Sequence, residues 1–387
     1  MLLDGFGFGL GLPVLPPLIS HFVGGDAVAT AQALAGLFSL FSAIQFLAMP
    51  VLGGLSDRFG RRPIFLWSLT GAMGDYLVSA VAPHLWWLFA ARIWTGVTAA
   101  NVVVANAQVA DFTPPERRAH LFGLVAGLFG LGLIVGAIVG GALFPLGLRA
   151  GFIAATAVAA VNVGLAAFLL PESLAPNLRR SPEKAEMIPL LAIRVLRRRP
   201  AGFGLAVSLV LGWLAAASIQ AIWLVYTADR YGWTPLQNGF GLAVYGIAMA
   251  VSQGVLVGYG VKRFGGGAVI LGGVAISAAG CVIAGLASAG WGAYVALAIL
   301  ALGEMAVPAT RGRLSGLFPP EEQGRLQGVL SSLNSLASVA APLVAAGLFS
   351  RFAAMGGIGA GAPLFGAALL CALGGLVAWK SLAVRES

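Results

Sequence analysis

Four ionisable side chains lie inside stretches that otherwise read as hydrocarbon: Asp4, Asp75, Arg92 and Glu304. Glu304 is the sharpest case. It sits in "LALGEMAVPA", Leu300 to Ala309, and the residues from Trp291 to Thr310 carry no other charge. A carboxylate at mid-bilayer costs about 2.5–3.5 kcal/mol or more. Such a group is protonated when shut off from water and ionised when wetted, and a proton-coupled exchanger needs that switch. The competing reading is structural, with Glu304 bound to a helix dipole or to Arg311. Arg92, in "ARIWTG", lies several residues inside its run, where an arginine is expected to face a cavity or a partner. Asp75, in "LTGAMGDYLVSA", could pair with Arg92 or carry protons. Gln45, Asn101, Asn106, Gln108, Gln220, Gln253 and Asn334 are polar residues inside apolar runs. With Trp223 and Tyr245 they are candidates to line a cavity, and helix-to-helix hydrogen bonding is the alternative for each amide.

The elements that must position these groups follow from composition. Of 387 residues, 59% are hydrophobic and 10% charged, against about 25% charged in soluble domains. Mean hydropathy is +0.92. A soluble chain of this composition would lack a surface, so the class is integral membrane. Apolar stretches repeatedly reach the ~20 residues a helix needs to cross the hydrocarbon, and the alternating pattern of a membrane β-barrel is absent. Fifty-five glycines suit helices packed through small faces. Twelve spans are expected, at 1–19, 31–54, 63–82, 86–110, 120–145, 150–170, 203–227, 237–261, 267–289, 291–313, 326–350 and 363–382.

Charge placement sets the expected topology. Arg58, Arg61 and Arg62 follow span two, and Arg117 and Arg118 follow span four. Seven basic residues fill the polar stretch from Pro171 to Pro200. Lys262 and Arg263 follow span eight, Arg311, Arg313 and Arg325 flank the turn after span ten, and Lys380 and Arg385 close the chain. The opposite side holds only Arg149, Arg230 and Arg351. By the positive-inside rule the basic side, with both termini, is cytoplasmic. The surplus of +9 is therefore topological, and nucleic acid is not an expected partner.

An internal repeat orders the spans. "DRFG" at Asp57–Gly60 recurs as "KRFG" at Lys262–Gly265, an offset of 205. "PPERRAHLFG" at Pro114–Gly123 recurs as "PPEEQGRLQG" at Pro319–Gly328 with the same offset. Two six-helix halves in parallel orientation follow, a plan in which the halves enclose a cavity and rock about it. "GGLSDRFGRRP", Gly53 to Pro63, reads as a tight turn between helix ends. Gly53 and Gly60 allow close backbone approach, and Asp57 is placed to accept hydrogen bonds from helix N-terminal amides. Its degenerate copy, "GYGVKRFG", carries Lys262 and Arg263 and suggests a paired latch.

The chain resembles the major facilitator superfamily, in particular its tetracycline-efflux and related drug/proton antiporters. The resemblance rests on the Gly53–Pro63 motif together with "DGFGFGLGLPVLPPL" at Asp4–Leu18 and "GDYLVSAVAPHLWWLFAARI" at Gly74–Ile93. It continues through "LPES" at Leu170–Ser173 and "QGRLQGVLSSLNSLASVAAPL" at Gln323–Leu343. It implies that Asp57, Arg58, Gly60, Arg61 and Arg62 form a cytoplasmic gate, and that Arg92 is the buried arginine of the fourth helix. It also implies that Asp4 and Asp75 handle drug or proton. Asp111, ending span four, is expected in the cytoplasmic network. Three departures stand out. The fifth-helix motif reads "GLIVGAIVGG", with Ala137 where the family has proline. Gly132, Gly136, Gly140 and Gly141 still permit close packing there. Ile276 stands where tetracycline exporters carry an acid in the ninth helix, and Met249 where they carry a histidine in the eighth. Glu304 replaces a glycine in the tenth, so the C-terminal half is expected to have moved its acid there.

The expected architecture is an all-α integral membrane protein of twelve transmembrane helices in two parallel six-helix halves. These are residues 1–170 and 203–387, joined by a cytoplasmic linker at 171–202. The expected activity is secondary active transport: proton-coupled efflux of a hydrophobic or amphipathic small molecule by alternating access. No metal or cofactor is expected, the energy source being the proton gradient, and the working unit is a monomer in a bacterial inner membrane. Proton-coupled uptake of a metabolite and a non-transporting sensor are the alternatives. An enzyme would need a nucleophile or metal cluster. His21, His84 and His120 lie in loops or at span ends, and Cys281 and Cys371 have no motif spacing, which reads as small buried hydrophobes. The stretch from Asp4 to Ile19 is short for a span, so Asp4 is expected to be comparatively wetted.

Overall fold

The computed structural model describes residues 1–174, 179, 200–318, 323–355 and 358–383. Most of the expected linker at 171–202 falls outside them. Lipid supplies no hydrogen bonds to a backbone, so a spanning segment must satisfy its own N–H and C=O groups as helix. Twelve helices are long and apolar enough to do so: Leu2–Phe22, Ala27–Phe59, Arg61–Val81, Leu85–Phe112, Leu121–Leu146, Ala150–Leu169, Gly202–Tyr231, Pro235–Phe264, Gly266–Leu286, Gly290–Gly316, Leu326–Met355 and Gly359–Ala383. They match the expected spans in number and order, and are numbered one to twelve below. No strand occurs among the described residues.

Four spans are interrupted. Span one passes through a 3-10 turn at Leu12–Val14 and continues as helix to Phe22. Its prolines fall at the first positions of each new segment, where a missing N–H leaves no bond unmade. The span is therefore 21 residues long, not the short piece expected. Span four stops at Thr98 and restarts at Asn101. Span eight contains a π-helical turn at Ser252–Leu256. Span ten stops at Gly303 and restarts at Ala306.

Contacts sort the chain into two compact units, one of residues 1–26, 40–188 and 234–243, the other of residues 27–39, 189–233 and 244–387. In the first, spans one and five cross on glycine. Gly132, Gly136 and Gly140 lie against the carbonyls of Leu2, Phe6 and Leu10, while Gly5 and Gly9 lie against those of Phe129 and Leu133. Backbone meets backbone along this line, and no Cβ fits. Gly141 meets Pro235 and Leu236 at the start of span eight. Ala137 is fully buried, and Gly239 seats so close that a Cβ there would be 2.6 Å from the Ala137 carbonyl. With alanine at this position, the helix runs unbroken from Pro115 to Leu143. In the second unit, spans seven, nine, ten, eleven and twelve share a core that includes Leu205, Trp213, Ile270, Leu314, Leu330 and Ala378.

Candidate functional site

The turn between spans two and three is built around one glycine. Span two ends at Phe59, and Gly60 takes φ 108°, a conformation that costs other residues a strained backbone. Its N–H still bonds the Ser56 carbonyl at 3.1 Å. The reversal brings Arg61 back over the last turn of span two, where its Nη1 donates to Asp57 at 2.5 Å and to Ser56 Oγ at 2.7 Å. Its Nε reaches Asp111 Oδ2 at 3.3 Å, and Ser173 Oγ donates to the same oxygen at 2.7 Å. Arg62 donates to the Ala167 carbonyl at 2.5 Å. Arg58 points outward along its neighbour Phe59, 5.2 Å from the ring centroid.

One expectation fails here. Asp57 was expected to cap helix amides, yet the amides at the start of span three are taken by Glu172. Its carboxylate accepts from the Arg61 N–H at 2.8 Å, the Arg62 N–H at 3.3 Å and the Leu174 N–H at 3.0 Å. The reason is geometric: Asp57 is already held by the Arg61 guanidinium, and Glu172 arrives from beyond span six at the positive end of the helix. Burial pushes the Glu172 carboxyl up. The N–H donors of Leu174, Arg61 and Arg62 and the Arg179 guanidinium outweigh it and hold the group below its usual range. In the sequence Glu172 lies within "LPES" at Leu170–Ser173, where no local spacing points to the amides of span three. In the repeat copy Lys262 and Arg263 are exposed, and neither joins an ion pair among the described residues.

Within the spans of the first unit, two pairs form. Arg92 Nη2 lies 3.2 Å from Asp75 Oδ2, and Asp75 is 1% exposed. The Asn101 amide donates to Asp4 Oδ2. Asp4 is buried, contrary to the wetted position expected, because Gly5 and Gly9 draw span one tightly onto span five. Asn101 is at the restart of span four, where the Ser68 hydroxyl accepts from the N–H groups of Ala100 and Asn101, each at 2.9 Å. Ser68, absent from the sequence reading, therefore anchors the residue that holds Asp4.

Glu304 occupies the interruption of span ten. Its carboxyl takes a hydrogen bond from the Tyr245 hydroxyl and forms no salt bridge among the described residues. The Arg311 guanidinium, the alternative partner, instead lies over Trp213 at 5.4 Å. Glu304 lines a cavity of about 60 Å³ with Ser208, Ser277, Cys281 and Cys371. That volume has room for a few water molecules. The two thiols hydrogen-bond each other. Among the described residues no group of three or more His, Cys, Asp or Glu side chains is placed to hold a metal ion.

The remaining polar candidates differ in exposure. Gln220 and Gln253 are exposed, while Gln45, Asn106 and Asn334 are half-buried. The Asn334 carbonyl accepts from Ser338 at 3.0 Å, the ordinary back-bond of a helical serine. Gln108 and Trp223 are buried, each with a side-chain nitrogen that has no partner among the described residues. Gly53 has open space where a Cβ would stand, and its carbonyl accepts from Ser56 at 2.8 Å.

Twelve spans, a 205-residue repeat and a basic glycine turn between spans two and three are one family's pattern, and the sequence model of the Major Facilitator Superfamily matches residues 1–226 and again 205–387. The chain belongs to this superfamily. Among its relatives, the class C tetracycline resistance protein of Escherichia coli is 38% identical over 91% of this chain and 88% of its own length. The class B protein of Escherichia coli is 33% identical over 90% and 86%. Solved superfamily structures share the fold. The nucleoside transporter NupG superposes with TM-score 0.78 at 12% identity over 99% of this chain and 97% of its own. The human organic anion transporter MFSD10 does so with TM-score 0.69 at 24% identity over 97% and 96%. This superfamily member is thus a multi-pass membrane transporter for a small molecule.

Proposed function

We propose that this chain exports a hydrophobic or amphipathic drug-like small molecule in exchange for protons, by alternating access. It would do so as a monomer in a bacterial inner membrane, with both termini cytoplasmic and the proton gradient as its energy source. The observation that carries the reading is the state of Glu304: a carboxyl at an unwound mid-span turn, facing a small cavity, bonded to a neutral phenol. Asp75 has a cationic partner in Arg92, whereas Glu304 has none among the described residues. A carboxyl beside a neutral hydroxyl and a cavity can exchange its proton when water reaches it. The drug-resistance names of the relatives favour export. Tetracycline with its magnesium ion fits less well, because Ile276 and Met249 stand where the resemblance places an acid and a histidine.

Alternating access then divides the labour. Protonation of Glu304 and Asp4 favours one access state, and substrate binding to the other displaces the protons. The Arg61 cluster fastens the turn between spans two and three in the state described. The test has two stages. A susceptibility and accumulation panel, tetracycline included, in an exporter-deficient bacterial host identifies the substrate. Transport of that compound in vesicles under an imposed pH gradient should then be lost in Glu304→Gln, and unchanged coupling would remove Glu304 from the mechanism.

A further inference from the structure

The internal repeat extends to the interruptions themselves. Span three, Arg61–Val81, maps onto span nine, Gly266–Leu286, at an offset of 205, and Leu85–Thr98 maps onto Gly290–Gly303 at the same offset. The interruption at Ala99–Ala100 therefore maps onto Glu304–Met305. The two have different causes. Span ten contains Pro308, which has no N–H to give the Glu304 carbonyl and whose ring would clash with it in a regular helix. That carbonyl instead accepts from the Val307 N–H at 3.2 Å. Span four has Val103 at the matching place and is held open by the Ser68 hydroxyl. One geometry reached by two chemistries is a geometry the halves keep for a purpose.

The position matching Ser68 is Gly273. A Cβ there would stand 2.8 Å from the Ala306 nitrogen and 2.9 Å from the Gly303 oxygen, so no side chain can serve the turn from that side. A different serine does. Ser252, fully buried and first in the π-helical turn of span eight, donates to the Leu302 carbonyl at 2.9 Å. Its own repeat counterpart is Leu47, 70% exposed, so the bond has no equivalent in the first half. Tyr245 lies seven residues before Ser252, two turns back on the same face. Span eight thus grips the turn twice, at its carboxyl and at its backbone.

We propose that Ser252 is a positioning residue for Glu304. Its bond to Leu302, together with the Tyr245 bond to the carboxyl, holds the unwound turn so that Glu304 faces the cavity and span eight responds to its protonation. This rests on the proton-coupled reading above. The titratable groups around Glu304 are Tyr245 from span eight, Cys281 from span nine and Cys371 from span twelve, with Arg311 farther along its own helix over Trp213. The π-helical turn gives span eight a place to change register when the grip changes.

The test reads Glu304 without transport. Infrared difference spectra of the full chain in nanodiscs, recorded against pH, follow the carboxyl C=O band that Glu304→Gln removes. Ser252→Ala should move the midpoint of that band by about half a pH unit or more, a few-fold change in proton affinity, and Ser252→Thr should restore it. Tyr245→Phe, a second and milder variant, should move it as well. A wild-type midpoint in Ser252→Ala overturns the inference whatever Tyr245→Phe does, as does the absence of a titrating band that depends on Glu304. Loss of proton coupling in vesicles is a separate measurement, so failure of the positioning role and failure of the exporter reading are told apart.

Discussion

Replacing Glu172 with glutamine tests whether this carboxylate, and not Asp57, caps span three. The wild-type carboxylate accepts three backbone N–H bonds, from Arg61, Arg62 and Leu174, at 2.8, 3.3 and 3.0 Å. Glutamine keeps the size, removes the charge and turns one acceptor into a donor facing an N–H group. A lost N-cap costs about 0.5–2 kcal/mol and the helix dipole adds a few tenths. The group is partly exposed, so solvent screening brings the expected loss to about 1 kcal/mol. At this chain length that is a drop of roughly 1–2 °C in melting temperature, readable by thermal denaturation of nanodisc-embedded protein. The pH dependence has a definite sign. The folded protein holds this carboxyl below its ordinary value of 4.5, so its contribution is fully present above about 4.5 and fades as pH falls through the lower folded value. The gap between wild type and Glu172→Gln should be equal at pH 8 and pH 6 and should close under stronger acid. High salt should shrink the Arg179 and helix-dipole shares and leave the short-range backbone bonds. A gap that is absent at pH 7, or that survives undiminished in acid, refutes the capping role.

Two further outcomes concern packing and pairing in the first unit. Asp75→Asn alone should destabilise by about 3–5 kcal/mol, since it strands the Arg92 charge, while adding Arg92→Gln should recover part of the loss; melting curves of the two single variants and the double decide it. Gly136→Val should prevent accumulation of folded protein, because a side chain there meets the Phe6 backbone and not a movable side chain; membrane expression followed by size-exclusion chromatography reads this, with Gly127→Ala, at a site of open space, as the control.

Much of this protein was legible in its sequence because the bilayer imposes so few solutions. Twelve apolar runs became twelve helices, and pairing with Arg92, one of the two readings open for Asp75, follows from the expense of an unpaired charge in a span. The glycine line of span five likewise signalled a backbone crossing. What escaped were contacts made by small polar residues between distant segments. Nothing local distinguishes Ser68 or Ser252 from the many serines that merely bond back to their own helix, as Ser338 does. Glu172 lies 111 and 110 residues from the Arg61 and Arg62 amides it caps, beyond the reach of spacing arguments. Pro308 is the instructive miss. It stood inside the very stretch that drew attention to Glu304, and a proline four residues after a carboxylate already predicts an open carbonyl and a broken turn.

The shared interruption at Ala99 and Glu304 also bears on where a charge can be accommodated. In a continuous span a glutamate would be set against an unbroken apolar wall. At a site already unwound, with a cavity beside it, the same side chain meets a backbone able to receive it. The matching opening at Ala99–Ala100 is a second such joint, where chemistry could be installed by a single residue.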